Sequence, residues 1–147
     1  MLVPREEGVY SVARLANNIY MEFYDLTLHD VRPVSGQELH GVQVLFKVAV
    51  HNKALKSGEW PVVGKLPLTA EEETAKDVFF MQDSLSNEVF KYVYNPLTRR
   101  ASQFPATAED VRALEAVAVW DSSHIEERLR DHYAGRPNKW TEHFRAK

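Results

Sequence analysis

The sequence has 147 residues, of which 44% are hydrophobic, 11% aromatic and 27% charged, so a disordered chain is excluded and we expect a single domain over residues 1–147. No apolar run approaches the roughly 18 residues of a membrane helix, and without cysteine there is neither a disulfide nor a thiolate metal site. The net charge is -3, which gives no reason to expect a nucleic acid partner. The first seven residues lack the basic and apolar stretches of a secretion signal, so we expect a cytoplasmic location without a membrane partner.

A β-hairpin is predicted over residues 8–26. Two runs rich in aromatic and branched side chains flank the turn residues, Ala16-Asn17-Asn18. Asparagine tolerates the positive φ angles of a tight turn. Residues 31–41 contain a proline, glycines and polar residues, which predict a loop.

The clearest strand is predicted over residues 42–50. Val44 and Phe46 alternate with Gln43 and Lys47, so the apolar side chains share one face and the polar ones share the other. A slip of one residue would expose the whole apolar face, and the register should therefore be firmly set.

A polar break with a helical turn is predicted over residues 51–58. Residues 59–64 are predicted to be a short extended segment at a sheet edge, because Pro61 has no N–H to donate. The chain after this segment becomes acidic, and a second group of strands follows.

A second hairpin is predicted from strands over residues 77–82 and 88–94, which a five-residue connection joins. Just before it, Thr69 and Glu72 have the spacing of a capping box, and this predicts a helical turn over residues 70–74.

The chain changes character beyond about residue 104. Thr107 is predicted to cap a short helix, residues 116–120 to form a short buried strand, and a second helix to begin at its cap Ser123 and end at Gly135. The sequence thus predicts an α+β fold: a strand-rich antiparallel sheet or half-open small barrel, made of two hairpins and a central strand, which two short C-terminal helices cover.

No group of residues carries a catalytic or metal-binding signature. The six histidines lack the spacing of a zinc hydrolase, and His124 and His132 would lie about 12 Å apart on a helix, too far to bind one ion. No serine lies in a Gly-x-Ser-x-Gly elbow, and the glycines are too scattered to cradle phosphate. We therefore expect no catalytic residues, no metal and no cofactor; an enzyme with carboxylates assembled in space is the alternative.

Charge is unevenly distributed along the chain. Residues 41–68 contain four lysines and one acidic residue, whereas residues 69–90 contain six acidic residues and one lysine. The acidic run of Glu71, Glu72 and Glu73 is a candidate docking surface for a basic partner. The alternative interpretation is a solvated surface loop.

Two segments combine a tryptophan with a proline and basic residues. The first contains Trp60, and the second contains Arg136, Lys139 and Trp140. Exposed Trp and Arg are frequent anchors in protein interfaces, which makes these residues candidates for partner binding. The favoured interpretation for each tryptophan is a structural one, in which the ring folds back and locks a turn against the core.

Several segments form an ordered set: Gly-Val-Tyr-Ser-Val at 8–12, Val-Leu-Phe-Lys-Val-Ala-Val at 44–50, Leu-Lys-Ser-Gly-Glu-Trp-Pro-Val-Val-Gly at 55–64, Phe-Phe-Met-Gln-Asp at 79–83 and Ala-Val-Trp at 118–120. This set resembles the immunity protein 26 family, bacterial proteins that accompany polymorphic toxins. The resemblance implies a cytosolic protein, not an enzyme, that binds one cognate toxin domain and blocks it. It covers most of the chain but supplies no binding motif, so the surface residues above are predicted from composition alone and self-association stays open.

A small β-rich module that binds a peptide or small ligand is the alternative function. Its groove would be lined by tyrosines between residues 20 and 24 and between residues 92 and 94, although these rings are also expected to fill the core. A neighbouring gene for a large secreted protein with a variable C-terminal domain would favour the immunity function.

Overall fold

The computed structural model describes residues 1–17 and 19–147. The chain divides into two compact units: unit 1 comprises Met1–Pro67 and Val119–Thr141, and unit 2 comprises Leu68–Ala118 and Glu142–Lys147. Each unit has its own sheet. The single domain expected over residues 1–147 stays a prediction.

The structure contains both strands and short helices, which confirms the predicted α+β class. The strands are β1 (Leu2–Glu6), β2 (Val9–Ala16), β3 (Tyr20–Leu28), β4 (Val44–Val50), β5 (Asp77–Gln82), β6 (Val89–Asn95), β7 (Arg100–Ala106) and β8 (Val119–Trp120). The helices are α1 (Gly36–Leu39), α2 (Lys53–Ser57), α3 (Ala70–Thr74), α4 (Ser122–Tyr133) and α5 (Lys139–Phe144). None of the described helices is both long and apolar enough to cross a membrane.

Unit 1 is built on a curled five-stranded half-barrel sheet. The strand order is β1-β2-β3-β4-β8, in which β1 to β4 are antiparallel and β8 is parallel to β4. The register shifts once in each antiparallel pair. Such irregularities increase the local twist and bend the strands, which accounts for the curl.

The first hairpin is formed by β2 and β3, as predicted over residues 8–26. Asn17 adopts the expected positive φ, 54°, whereas Asn18 lies outside the described residues. β1 was not predicted, yet it pairs with β2 and its Leu2 and Val3 are completely buried. The sheet therefore begins earlier in the chain than the sequence indicates.

The predicted register of the central strand is confirmed in β4. Phe46, Val48 and Val50 are buried on one face, and the Phe46 ring stacks on Phe23 with 4.7 Å between centroids. Val44, at the start of the strand, is instead exposed. The apolar alternation thus fixes which face of the sheet is buried.

Two shorter strand predictions are only partly correct. Residues 59–64 belong to no strand, although the Pro61 carbonyl accepts a hydrogen bond of 2.9 Å from the Leu2 N–H. Of residues 116–120, only the last two pair with β4. The helical turn predicted over residues 51–58 is present as α2, and the loop predicted over residues 31–41 contains the single turn α1.

The second predicted helix is α4, but its predicted cap is wrong. Asp121, not Ser123, is the N-cap, and its carboxylate accepts a hydrogen bond from the Ser123 N–H. The helix ends at Tyr133, and Gly135, which was predicted to stop it, follows two residues later with a φ of 67°. Ile125 and Leu129 are completely buried and anchor α4 in unit 1.

Unit 2 contains the antiparallel sheet β5-β6-β7. β5 and β6 form the predicted second hairpin. The predicted capping box of α3 is also present: the Thr69 hydroxyl accepts from the Glu72 N–H at 3.1 Å, and the Glu72 carboxylate accepts from the Thr69 N–H at 2.8 Å. Both features were predictable because they depend on neighbours in sequence.

The prediction of a helix that begins at Thr107 is wrong. Residues 108–113 form consecutive turns, although the Thr107 hydroxyl does accept a hydrogen bond from the Asp110 N–H. The Leu114 N–H donates to the carbonyl of Val111, three residues back. Val111 is buried in the core of unit 2.

Candidate functional site

The structure places the predicted surface residues in both units. Those in unit 2 lie on α3 and are Glu71, Glu72 and Glu73. Those in unit 1 are Trp60, Arg136, Lys139 and Trp140. The last three come together where α4 ends and α5 begins, whereas Trp60 lies in the core.

The α3 helix presents two of its three glutamates to solvent. Glu71 and Glu73 are exposed. Glu72 is half-buried and holds the Thr69 N–H in the capping box. The middle glutamate thus fixes the turn, and its two neighbours provide an exposed negative charge.

Trp60 has the locking role that the favoured interpretation predicts. Its side chain is completely buried, and its Nε1 donates a hydrogen bond of 2.9 Å to the Glu126 carboxylate on α4. The ring also meets Phe23 edge to face, with 6.2 Å between centroids. Because no part of Trp60 reaches solvent, we leave it out of the proposed contact surface.

Trp140 is the centre of a polar cluster that we call the α4–α5 corner. Its half-buried ring stacks on His124 at 3.7 Å, and its Nε1 donates to the Glu127 carboxylate at 2.7 Å. The Lys139 ammonium lies 3.0 Å from the same carboxylate. Hydrogen bonds from Trp140 and Lys139 hold the pKa of Glu127 below its usual range.

Asp131 and Asn138 complete the α4–α5 corner. Asp131 accepts hydrogen bonds from Arg136 at 3.0 Å and from the Asn138 amide at 2.9 Å. The Asn138 side-chain oxygen in turn accepts from the backbone N–H groups of Trp140 and Thr141. These bonds orient Trp140 without help from a ligand, and the exposed Arg136 lies at the edge of the cluster.

Unit 1 also contains an apolar cavity of about 520 Å³ that the sequence did not predict. Five separate segments of the chain supply its lining, which consists of Met1, Val12, Ala13, Arg14, Leu15, Val34, Leu39, Leu55, Val62, Val63, Gly64, Lys65, Leu66 and Pro67. Only two of these side chains are charged. Such a lining could hold an apolar group.

The histidines on α4 are not brought together. His124 stacks on Trp140, whereas His132 meets the edge of the Tyr133 ring. Among residues 1–17 and 19–147, no group of three or more histidine, aspartate or glutamate side chains could hold a metal ion.

Comparison with known proteins gives a family match. A family model described as Immunity protein 26 matches residues 3–91, which is more than half of the chain. The matched region contains β1 from its second residue, β2 to β5, α1 to α3 and the start of β6. Neither the curated proteins nor the solved structures give a significant match. The chain therefore belongs to the immunity protein 26 family.

Proposed function

We propose that this protein binds a cognate toxin domain and neutralises it by protein–protein contact in the bacterial cytoplasm, as part of a polymorphic toxin system. The observation that carries the proposal is the family match over residues 3–91. Its description suggests an immunity protein, which implies a toxin partner in general and a non-catalytic role. Neutralisation then depends on the shape and charge of the surface.

Two surfaces are proposed to contact the toxin. The exposed carboxylates of Glu71 and Glu73 suit a basic groove, such as the active site of a nuclease toxin. The α4–α5 corner offers Trp140 with Arg136 and Lys139, a combination of aromatic and cationic groups that is common in protein interfaces.

Co-expression with the toxin domain encoded beside this gene tests the proposed function. We expect the wild-type protein to restore growth to cells that produce the toxin domain and to co-purify with it. Continued growth arrest, together with a lack of co-purification at normal expression, would contradict the proposal.

Charge reversal of α3 should slow the encounter with the toxin. We expect Glu71→Lys combined with Glu73→Lys to lower the association rate constant about tenfold at low salt, because long-range attraction accelerates association by this order. Stopped-flow measurement at several salt concentrations should show the difference shrinking as salt screens the charges.

The matched control is Glu109→Lys with Glu142→Lys, which makes the same change in net charge at two other exposed positions of unit 2. This variant should associate at nearly the wild-type rate. If the α3 variant also keeps the wild-type rate, α3 is not part of the contact surface.

The apolar cavity of unit 1 supports a second candidate function, the binding of a small apolar ligand. Its volume of about 520 Å³ falls within the roughly 300–1,000 Å³ of known ligand sites. The buried rings of Tyr20, Tyr24 and Tyr94 belong to the core and do not line it. Anilinonaphthalene sulfonate should fluoresce on binding the wild-type protein and not a Leu39→Trp variant; no enhancement with the wild type would exclude this candidate.

A further inference from the structure

One face of the unit 2 sheet combines positive charge with an exposed aromatic ring. On β7, Arg100, Ser102 and Phe104 are alternate residues and thus project from the same face. Arg100 lies opposite Asn95, and Ser102 lies opposite Val93 on β6. The face therefore continues across both strands.

These side chains surround an open cavity of about 480 Å³. We call this surface the basic face and define it by the lining residues Lys76, Val93, Asn95, Thr98, Arg100, Ser102 and Phe104. The described residues that line the cavity include two cations and no acidic side chain. Lys91, which lies opposite Phe104 in the register, adds a third cation beside it.

The two lining cations are not neutralised by the protein itself. Lys76 and Arg100 are exposed, and neither forms an ion pair within residues 1–17 and 19–147. Other arginines do have acidic partners: Arg14 pairs with Glu22 and Arg136 with Asp131. The donors of Lys76 and Arg100 are thus available to an anion from another molecule.

Phe104 indicates that this anion belongs to a protein. Its ring is 53% exposed at the edge strand β7, and a free inorganic anion would gain nothing from such a ring. Phenylalanine and arginine are both enriched in protein interfaces. A long polyanion such as a nucleic acid is disfavoured because the segment 69–90, which belongs to the same unit, contains six acidic residues.

We propose that the basic face binds carboxylate side chains of the toxin domain. Lys76 and Arg100 pair with the carboxylates, and Phe104 packs against an apolar side chain beside them. This inference rests on the proposed function and adds a second contact to it. Unit 2 then presents a negative patch at α3 and a positive one at the basic face, so that only one orientation of the toxin satisfies both.

The test measures the dissociation constant for the toxin domain encoded beside this gene. The main variant is Lys76→Glu with Arg100→Glu, and we expect it to bind about tenfold more weakly or worse, because like charges now face each other. Lys76→Gln with Arg100→Gln should lie between this variant and the wild type. Phe104→Ser should also weaken binding, with a smaller dependence on salt.

The matched control is Lys53→Glu with Lys56→Glu, which makes the same change in net charge at two exposed positions on α2. Circular dichroism and thermal unfolding establish that each variant is folded. If the wild type binds the toxin and the folded main variant binds equally well, the inference is wrong while the proposed function stands. If the wild type does not bind the toxin, both are wrong.

The control variant is expected to bind the toxin as tightly as the wild type does. An equal loss of affinity in the control would assign the effect to net charge and overturn the inference. A second result would also overturn the inference: the wild type binds a single-stranded oligonucleotide, and the main variant loses this binding but still binds the toxin. This result would indicate a nucleic acid site.

Discussion

Replacement of Trp60 by alanine is expected to lower the free energy of unfolding by about 3–5 kcal/mol, the usual cost of removing a buried tryptophan. Trp60 is completely buried, so alanine would leave a cavity beside Phe23. The substitution also deprives the Glu126 carboxylate of its hydrogen bond from Trp60 Nε1. Urea unfolding followed by circular dichroism measures the change.

Two further variants separate the contributions at this site. Trp60→Phe keeps a ring against Phe23 but loses the hydrogen bond to Glu126, and it should therefore cost less than alanine. Trp140→Ala removes a tryptophan that is only half-buried. It should lower the free energy of unfolding by about 1–2 kcal/mol, which is less than the loss of a completely buried tryptophan. If Trp60→Ala costs no more than Trp140→Ala, the locking role of Trp60 is wrong.

The elements that the sequence predicted well depend on local patterns. The alternation around Phe46 fixes the buried face of β4, and the spacing of Thr69 and Glu72 fixes the start of α3. In both cases the residues that decide the structure are near neighbours in the chain. Such local patterns predict the structure correctly because the tertiary contacts of the folded protein favour the same local conformation.

The two missed strands are both edge strands. β1 has only five residues, and two of them are Pro4 and Arg5. These two residues interrupt the apolar pattern that would indicate a strand. β7 is exposed along almost its whole length and contains Pro105, so it has no buried face to produce an alternating pattern. Prolines and charges are common at sheet edges because they hinder pairing with another chain, and the same residues hide the strand from sequence analysis.

The cap of α4 shows how tertiary structure chooses between two suitable residues. Asp121 and Ser123 can both cap a helix. Trp120 is the last residue of β8, and its carbonyl accepts a hydrogen bond of 3.0 Å from the His51 N–H. Because β8 extends to Trp120, Asp121 is the first suitable residue after the strand, and the helix begins there.

The candidate site is less predictable than the fold because its contacts join distant parts of the chain. Trp60 and Glu126 are 66 residues apart, and nothing in either segment indicates the other. By contrast, Asn138 caps the backbone at Trp140 and Thr141 within three residues, and this local arrangement was open to prediction. The cavity of unit 1 had no sequence signal, since five separate segments supply its lining.

A half-buried ionic cluster on the unit 1 sheet shows the same dependence on tertiary structure. Glu22 on β3 lies opposite Arg14 on β2 and Lys47 on β4. Its carboxylate accepts hydrogen bonds of 3.0 Å from Arg14 and 2.7 Å from the Tyr24 hydroxyl, and the Lys47 ammonium lies 3.7 Å away. One anion thus holds two cations across three strands.

Replacement of Glu22 by alanine is expected to lower the free energy of unfolding by about 2–3 kcal/mol, somewhat less than the loss of one partner from a fully buried pair. The side chains of Glu22 and Arg14 are only 14% and 15% exposed, so water screens the attraction between them only weakly. The matched control is Glu109→Ala, whose ion pair with Arg112 is 70% and 74% exposed and should contribute less than about 1 kcal/mol. Urea unfolding compares the two variants. Equal costs would mean that burial of the Glu22 cluster adds nothing to stability, whereas the expected difference would show that this carboxylate holds β2, β3 and β4 together.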